Sequence, residues 1–324
     1  LGYQHRGIEE ALLGGPSHRA IHFAETVAGD TSIGHATAYS QVLEALSGTK
    51  PPVRAQALRG LMLELERLAN HIGDLGALAN DVAYLPTASF NGRIRGDFLN
   101  MTALICGNRF GRGMIRPGGV LHDLEAARAD DLQKRLRAGD KDTTSSVELL
   151  FDTPSVLARF ENAGLLPSDM CRQLNIVGPA ARAAGLPLDI RQTHPSGIYR
   201  FAQIPLSSWD SGDVFARAYV RWLEIQHSIR FIREQIQSLP GDRLHTAMKP
   251  LRPNHLAVAL VEGWRGQICH AGITDPQGRL RRLKIVDPSF HNWYGLAYAL
   301  RGQQISDFPL CNKSFNLSYC GNDL

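Results

Sequence analysis

Residues Arg54–Val82, which read RAQALRGLMLELERLANHIGDLGALANDV, decide the fold class of this 324-residue chain. Their apolar side chains recur every three or four positions, a spacing that places them on one face of an α-helix. The stripe consists of Leu58, Leu61, Leu65, Leu68, Ile72 and Leu75. Glu64, Glu66 and Arg67 supply charge beside it. The pattern predicts one long amphipathic helix.

Helical patterns also prevail on both sides of this stretch. Further helices are predicted at Ser17–Ala28, Ser32–Leu46, Asp97–Phe110, His122–Ala138, Val147–Asn162, Asp213–Leu239 and Phe290–Leu300. Sheet is predicted only at three β-prone runs, namely His255–Val261, Gly266–Ile273 and Arg279–Val286. The residues after Leu300 are expected to be irregular. The fold class that follows is mainly α with a small antiparallel β-sheet (α+β).

The chain is interpreted as a single domain, residues 1–324, with three sub-regions. Residues 1–120 form a helical core, and residues 121–250 form a helical excursion. Within the excursion, Gly164–Trp209 is rich in Pro and Gly but is expected to be ordered, because apolar residues recur through it. Residues 251–324 contain the small sheet and a C-terminal motif segment.

Composition and cysteine spacing exclude several classes of protein. Thirty-five Lys and Arg against 31 Asp and Glu give a net charge of +4 without a basic run, so no nucleic acid partner is expected. No window approaches about 18 consecutive apolar residues, so no direct membrane span is expected. The five cysteines form no CxxC pair, which argues against a disulfide scaffold, a zinc ribbon or an iron–sulfur site and favours a reducing compartment.

Two short patterns allow more than one interpretation. Gly107, Gly111 and Gly113 suggest a phosphate cradle, but their spacing and context favour the end of a helix. His18 and His22 stand four residues apart on a predicted helix and suggest a shared metal ion. Because no third ligand stands at a suitable spacing, a solvated or hydrogen-bonded pair is preferred, and no metal ligand is assigned.

Four polar segments interrupt otherwise apolar sequence at the junctions of predicted elements. They are His5–Glu10, Glu25–His35, Glu262–Gly266 and Asp287–His291. Binding and catalytic groups concentrate at such junctions. Taken alone, each segment is more often a cap or a turn than a site.

Taken together, these segments resemble the large subunit shared by membrane-bound nickel–iron hydrogenases and the quinone-reducing module of respiratory complex I, the NADH-quinone oxidoreductase. Leu1–Glu10 resembles the family's GYxHRGIEK opening, and Arg116–Val120 matches its RPGGV turn. Asn175–Arg182 matches its GPxxR segment, and Glu262–Gly266 matches its ExxRG element. The resemblance implies a hydrogenase large-subunit-like helical core.

The C-terminal segments indicate a branch of that family. Asp287–Trp293 and Pro309–Asn316 are similar to the branch related to formate-hydrogenlyase and hydrogenase-four complexes. The matches are collinear from residue 1 to residue 324, which makes them more specific than any single motif. The family's first β-hairpin is expected before Leu1 and is not part of this sequence.

The sequence departs from the hydrogenases at their metal ligands. That family holds nickel and iron with two CxxC pairs, and the matching positions here are Ala28 with Thr31 and Ser289 with Asn292. Alanine has no ligand atom, and hydroxyl or amide groups are poor substitutes for soft thiolates. No nickel or iron is therefore expected to be bound by this chain.

By the same resemblance, the vacated cavity of complex I-type subunits becomes a pocket for a quinone headgroup. The residues assigned to catalysis are His35, Asp30, Arg265 and Asp287. Those assigned to quinone binding are Thr31, Ser289, Phe290, His5 and Arg6. His35 would deliver a proton near neutral pH, and Arg265 would stabilise the negative charge of the reduced quinone. The family's usual quinone-binding tyrosine has no counterpart here.

The resemblance also implies a set of partners. Electrons would come from an iron–sulfur cluster on a small subunit, and NAD(P)H, if it is the donor, would be oxidised on another subunit. Membrane subunits would couple the reaction to proton movement, so a peripheral position on the cytoplasmic side of the inner (cell) membrane is expected. The isolated chain is expected to be inactive.

A non-catalytic structural or assembly platform, derived from a hydrogenase large subunit, is the alternative interpretation. Both interpretations predict the same fold and the same absent thiolates. They differ in whether an open channel reaches between Thr31, Arg265 and Ser289 or whether side chains fill that space.

Overall fold

Helices make up most of the structure, a computed structural model that describes residues 3–324. They account for 56% of the described residues, which confirms the predicted class, mainly α with small antiparallel β. The α-helices are α1 (Ile8–Ala11), α2 (Ala20–Ala24), α3 (Ser32–Ser47), α4 (Val53–Asp81), α5 (Leu85–Cys106), α6 (Ala126–Phe151), α7 (Pro154–Phe160), α8 (Ser168–Gln173), α9 (Gly178–Arg182), α10 (Ile190–Thr193), α11 (Val214–Gln237), α12 (Pro288–Ala299), α13 (Phe308–Phe315) and α14 (Tyr319–Asn322). Short 3₁₀ helices cover Gly197–Arg200 and Ile305–Asp307.

The described strands form two antiparallel sheets. They are β1 (Ile115–Arg116), β2 (Gly119–Val120), β3 (Leu256–Gly263), β4 (Gly266–Thr274) and β5 (Leu280–Val286). The last three form the predicted sheet, in the order β3-β4-β5. The first two form an additional small hairpin across the predicted Arg116–Gly119 turn. In the larger sheet Gly263 pairs with Gly266, so a tight turn carries Trp264 and Arg265 between β3 and β4.

Helix α4 packs against α5 and α11 and contains the stripe predicted from the sequence. The stripe is buried, as expected for an amphipathic helix. Glu64, Arg67 and His71 are buried as well, since α4 is covered on almost every side. The charges of Glu64 and Arg67 therefore meet partners inside the protein and not solvent.

Two helix boundaries were predicted wrongly in the first half of the chain. Helix α5 begins at Leu85 and not at Asp97, because packing on α4 overrides the weak helix propensity of Asn91 and Gly92. The predicted helix at 17–28 shrinks to α2, which begins at Ala20 and leaves His18 outside it.

Further boundaries differ in the second half. The two helices predicted at 122–138 and 147–162 are replaced by α6, which continues to Phe151, and by α7, which begins at Pro154. Proline lacks an amide hydrogen and fits the first turn of a helix, so it starts α7 after a short break. The residues after Leu300 were expected to be irregular, but they contain helices α13 and α14. Pro309 lies in the first turn of α13, where a proline favours helix formation.

One hydrophobic cluster extends from Ile8 to Leu317 and joins elements of all three sub-regions. We therefore propose that the described residues fold as one domain. No helix within residues 3–324 combines the length and the apolar character needed to cross a membrane.

Two glycines allow the β3–β4 turn to lie against helix α9. Gly178 has φ 69°, and a Cβ atom there would lie 2.1 Å from the carbonyl oxygen of Arg265. Gly266 has φ 131°, and a Cβ atom there would lie 2.8 Å from the Cα of Gly178. Both positions thus require glycine for backbone conformation and for close approach.

We predict that Gly178→Ala lowers the free energy of unfolding by more than about 2 kcal/mol, because it adds both a backbone clash and left-handed strain. The matched control is Gly92→Ala, since Gly92 lies in α5 and a Cβ atom there would have open space within 4 Å. Alanine there should stabilise the helix by up to about 1 kcal/mol. Urea unfolding checks both values, and equal stability of the two variants would contradict the prediction.

Candidate functional site

The β3–β4 turn brings Arg265 onto Asp30, which precedes helix α3. Arg265 donates from Nη1 to Asp30 Oδ1 (2.8 Å) and from Nη2 to Asp30 Oδ2 (3.0 Å), a bidentate pair. Its guanidinium lies 3.9 Å from the ring centroid of Trp264, a cation–π contact. Thr31 Oγ1 accepts hydrogen bonds from Arg265 Nη1 and from Trp264 Nε1. These contacts fix the turn against the start of α3.

A second polar cluster lies one turn further along α3. His35 Nε2 lies 2.9 Å from Asp287 Oδ2, and His35 Nδ1 lies 3.1 Å from His270 Nε2. All three residues are fully or almost fully buried. Asp287 also accepts the backbone N–H of Ser289 (2.8 Å) and so caps helix α12. The chain His270–His35–Asp287 therefore links β4, α3 and α12.

Burial and charge set the ionisation of this chain. Burial lowers the pKa of His270 well below its ordinary value, and the neighbouring His35 lowers it further. Burial opposes ionisation of Asp287, but the hydrogen bond and charge of His35 outweigh it, so the pKa of this carboxyl is lowered. His270 is thus neutral and Asp287 ionised at neutral pH. Arg265 adds its positive charge near Asp287 and contributes to that lowering.

The structure brings together five of the nine residues assigned from the sequence, namely Asp30, Thr31, His35, Arg265 and Asp287. Ser289 adjoins them and accepts the backbone N–H of Ser318 through its hydroxyl (2.9 Å). Phe290 does not adjoin them, since 55% of its surface is exposed. Helix α12 buries the face that carries Ser289, Asn292 and Leu296, and Phe290 lies on the opposite, exposed face.

His5 and Arg6 bind the protein's own groups and not an open pocket. Arg6 Nη2 donates to the carbonyl oxygens of Val27 (2.7 Å) and Cys320 (3.1 Å). Arg6 thereby ties the loop before Asp30 to the C-terminal helix α14. His5 is exposed and lies 3.9 Å from the carboxylate of Asp323.

Sequence reasoning missed the buried ions that hold the β3–β4 turn in place. Arg67 donates to the carbonyl oxygens of Glu262 (2.8 Å) and Gly263 (3.1 Å). Arg182, the last residue of the GPxxR segment, donates to the carboxylate of Glu262 (2.8 Å). The sequence carried only a weak signal, namely that Glu64 and Arg67 lie next to the apolar stripe of α4, a position that is compatible with either burial or exposure.

His270 was missed as well, because it stands within a β-prone run. His270 shares the inward face of β4 with Ile268 and Gly272, which stand two residues before and after it. An unpaired histidine is unusual at such a buried position.

The positions of the four absent cysteines do not fit a nickel–iron centre. Thr31 Oγ1 is occupied by Trp264 and Arg265, and the hydroxyl of Ser289 by Ser318. Asn292 is bonded through both side-chain atoms to the backbone of Val177. Ala28 offers no ligand atom, and the remaining donors are hard oxygens already used in the fold.

The other patterns read from the sequence have structural roles. Gly107 ends α5 with φ 75°, as the helix-end interpretation predicted. His22 lies 3.1 Å from Glu25, which matches the preferred hydrogen-bonded interpretation, although with a different partner from His18. Within residues 3–324, no group of three or more His, Cys, Asp or Glu side chains is arranged to hold a metal ion.

Beside Asp30 lies a cavity of about 20 Å³, which is also lined by Glu66 and Asn70. This volume holds one water molecule and not a quinone ring. Glu66 accepts the backbone N–H groups of Ile33 (2.7 Å) and Gly34 (3.2 Å) at the start of α3. Burial raises the pKa of Glu66 to about 8 in spite of these bonds, so its carboxyl keeps a proton at neutral pH.

We predict that Glu66→Gln flattens the pH dependence of stability. Folded Glu66 holds a proton that the unfolded chain releases between pH 4.5 and about 8, so wild-type stability falls as pH rises through this window. Relative to wild type, the variant should gain roughly 1–3 kcal/mol of unfolding free energy from pH 5 to pH 9. Urea unfolding across this range checks it, and Glu125→Gln, at a side chain 68% exposed, is the control. Parallel curves for all three proteins would contradict the assignment.

We also predict that Asp287→Asn costs roughly 2–4 kcal/mol of unfolding free energy at pH 7, because it removes the charge that faces His35 in the interior. The control is Asp213→Asn, since Asp213 is equally buried and caps α11 without a histidine partner. That variant keeps an acceptor for the cap and should cost about 1 kcal/mol. Chemical denaturation checks the difference, and equal losses would show that the histidine contact contributes nothing.

Comparison with known proteins places the chain in a family. Residues 81–255 match the family described as "Respiratory-chain NADH dehydrogenase, 49 Kd subunit". The chain is 30% identical to the carbon monoxide-induced hydrogenase of Rhodospirillum rubrum, over 97% of this chain and 88% of that protein. It is 27% identical to NADH-quinone oxidoreductase subunit 4 of Thermus thermophilus, over 95% of this chain and 82% of that protein.

A third relative is longer than this chain. The chain is 29% identical to formate hydrogenlyase subunit 5 of Escherichia coli (strain K12). The match covers 100% of this chain and 57% of that protein. The family model covers more than half of the chain, and the relatives cover nearly all of it. The chain belongs to the family of the 49-kDa subunit of respiratory-chain NADH dehydrogenase, a component of oxidoreductase complexes.

Proposed function

We propose that this chain forms the acceptor side of a complex I-like oxidoreductase and that a quinone approaches the Asp30–Arg265 edge. The observation that carries the proposal is the exposure of Asp30, whose side chain is 33% accessible while its partner Arg265 is 5% accessible. An accessible carboxylate can accept a hydrogen bond from a hydroxyl group of the reduced quinone, whereas the carbonyl oxygen of the oxidised ring needs the N–H groups of Arg265. The buried His270–His35–Asp287 chain lies directly behind this edge, at the start of α3.

The residues of this edge have distinct roles in the proposal. Arg265 would donate the remaining N–H of Nη2 to a quinone carbonyl oxygen and hold the negative charge that develops there. His35 would hold a proton at Nε2, opposite the ionised Asp287. Trp264 and Thr31 would keep the guanidinium in one orientation. A quinone, when bound, supplies the electron-accepting ring.

We base the electron donor, the partner subunits and the location of the complex on the family, and we propose them together with the acceptor role. The relatives' names include subunits of NADH-quinone oxidoreductase and of formate hydrogenlyase, so partner subunits are supported in general. We propose that electrons arrive from an iron–sulfur subunit, that NAD(P)H is oxidised elsewhere, and that the chain is peripheral on the cytoplasmic side of the membrane beside membrane subunits. The isolated chain would then lack activity.

The closed packing of the site favours a second candidate, the structural platform. Thr31, Arg265 and Ser289 are at least 94% buried and bonded to protein atoms. The space beside Asp30 admits only a water molecule. A quinone at this position requires a partner protein to open or complete the pocket, whereas a platform requires no such change.

We predict that Asp30→Asn, assembled with its native partners, lowers quinone reduction by at least about tenfold without changing the yield of complex. The variant is isosteric and partly exposed, so it should fold. The control is Asp123→Asn, which breaks the Arg54–Asp123 pair, with a carboxylate 35% exposed. Turnover with a short-chain quinone analogue and co-purification of the subunits are measured together. Wild-type turnover in an intact Asp30→Asn complex would favour the platform instead.

A further inference from the structure

A cavity of about 900 Å³ lies between helices α2 and α3, the β1–β2 hairpin and residues 245–251. It is more than twice as large as a cleft of about 420 Å³ beside strand β3. None of the residues proposed above for quinone binding or catalysis lines it. Its volume falls in the range of pockets that bind small organic molecules.

The inner walls of this cavity are apolar. They include Ile21, Leu43, Val120 and Leu251, whose side chains all belong to the hydrophobic core. Pro117 and Met248 extend the apolar surface toward the opening. Such walls favour a hydrocarbon chain, because its transfer from water contributes roughly 0.8 kcal/mol per buried methylene group.

One polar group on the inner wall lacks a partner. Tyr39 lines the cavity, is 1% exposed and has a hydroxyl group with no hydrogen-bond partner among the described residues. Buried hydroxyl groups nearly always form a hydrogen bond, because burying a hydroxyl group without one costs folding free energy. Burial also raises the pKa of Tyr39, so the group stays a neutral O–H donor. A ligand oxygen in the cavity would satisfy it.

The charged side chains around the opening, Arg116 and Lys249, are both cationic. His18, Arg116, His245 and Lys249 line the cavity, and no Asp or Glu among the described residues does so. Arg116 has only a distant carboxylate partner, Glu25 at 3.8 Å. Within residues 3–324, Lys249 forms no ion pair with a carboxylate. The opening is therefore complementary to an anion.

We propose that this cavity binds a single-chain amphipathic anion, with its hydrocarbon chain against the apolar walls and its acidic headgroup between Tyr39 and Lys249. A carboxylate or phosphate headgroup accepts hydrogen bonds from both residues, and an uncharged headgroup lacks the charge attraction to Lys249. A free fatty acid and a lysophospholipid share this chemistry. The inference does not depend on the acceptor function proposed above.

The test uses the full chain, purified without detergent, and the fluorescent fatty acid cis-parinarate. Saturable binding of one parinarate per chain is expected. Tyr39→Phe and Lys249→Gln should each raise Kd about five- to tenfold, because each removes one hydrogen bond to the headgroup. Control variants are Tyr294→Phe and Lys141→Gln at exposed positions. Tyr39→Phe should keep the wild-type Tm, since its hydroxyl has no partner within the fold.

Competition identifies the headgroup. If only oleate displaces parinarate, the ligand is a free fatty acid. If only lysophosphatidylglycerol displaces it, the ligand carries a phospholipid headgroup. Either result supports an anionic ligand. Equal displacement by oleyl alcohol, wild-type Kd values for both variants, or the absence of saturable binding would each overturn the proposal.

Discussion

The fold depends on a buried network of arginines and carboxylates around helix α4. Its members are Arg67, Arg182 and Arg191 with Glu64, Asp189, Glu224 and Glu262. They join α4, α9, α10, α11 and strand β3 at a single place in the interior. Breaking such a network leaves a buried ion without a counterion, which is far more costly than losing an exposed pair. These elements are therefore held in one arrangement.

The network contains more carboxylates than guanidinium groups. Four carboxylates face three guanidinium groups, so one carboxylate is in excess. Burial and the nearby charge of Asp189 raise the pKa of Glu262, whereas the charges of Arg191 and Arg182 outweigh burial at Asp189 and lower its pKa to about 2. Of these two carboxyl groups, Glu262 is therefore the more readily protonated. Burial lowers the pKa of His71 to about 4, so it stays neutral beside Glu224.

The candidate site is an extension of this network. Arg67 and Arg182 hold the end of β3 through Glu262 and Gly263, and the next two residues are Trp264 and Arg265. The position of Arg265 over Asp30 is accordingly set by ions that touch neither residue. Around Thr31 and Ser289 the interior is filled by hydrogen bonds between the chain's own groups.

The sequence alone determined the helical class, the three-stranded sheet and five residues that meet in one place, because periodicity and short motifs are local properties. It did not show that Glu64 and Arg67 are buried, since a charge beside an apolar stripe is equally compatible with solvent. His35 and His270 are 235 residues apart in the chain, and only the packing of α3 on β4 joins them. The outward turn of Phe290 and the closure of the site were likewise decided by tertiary structure, because both depend on which side chains compete for the same interior volume.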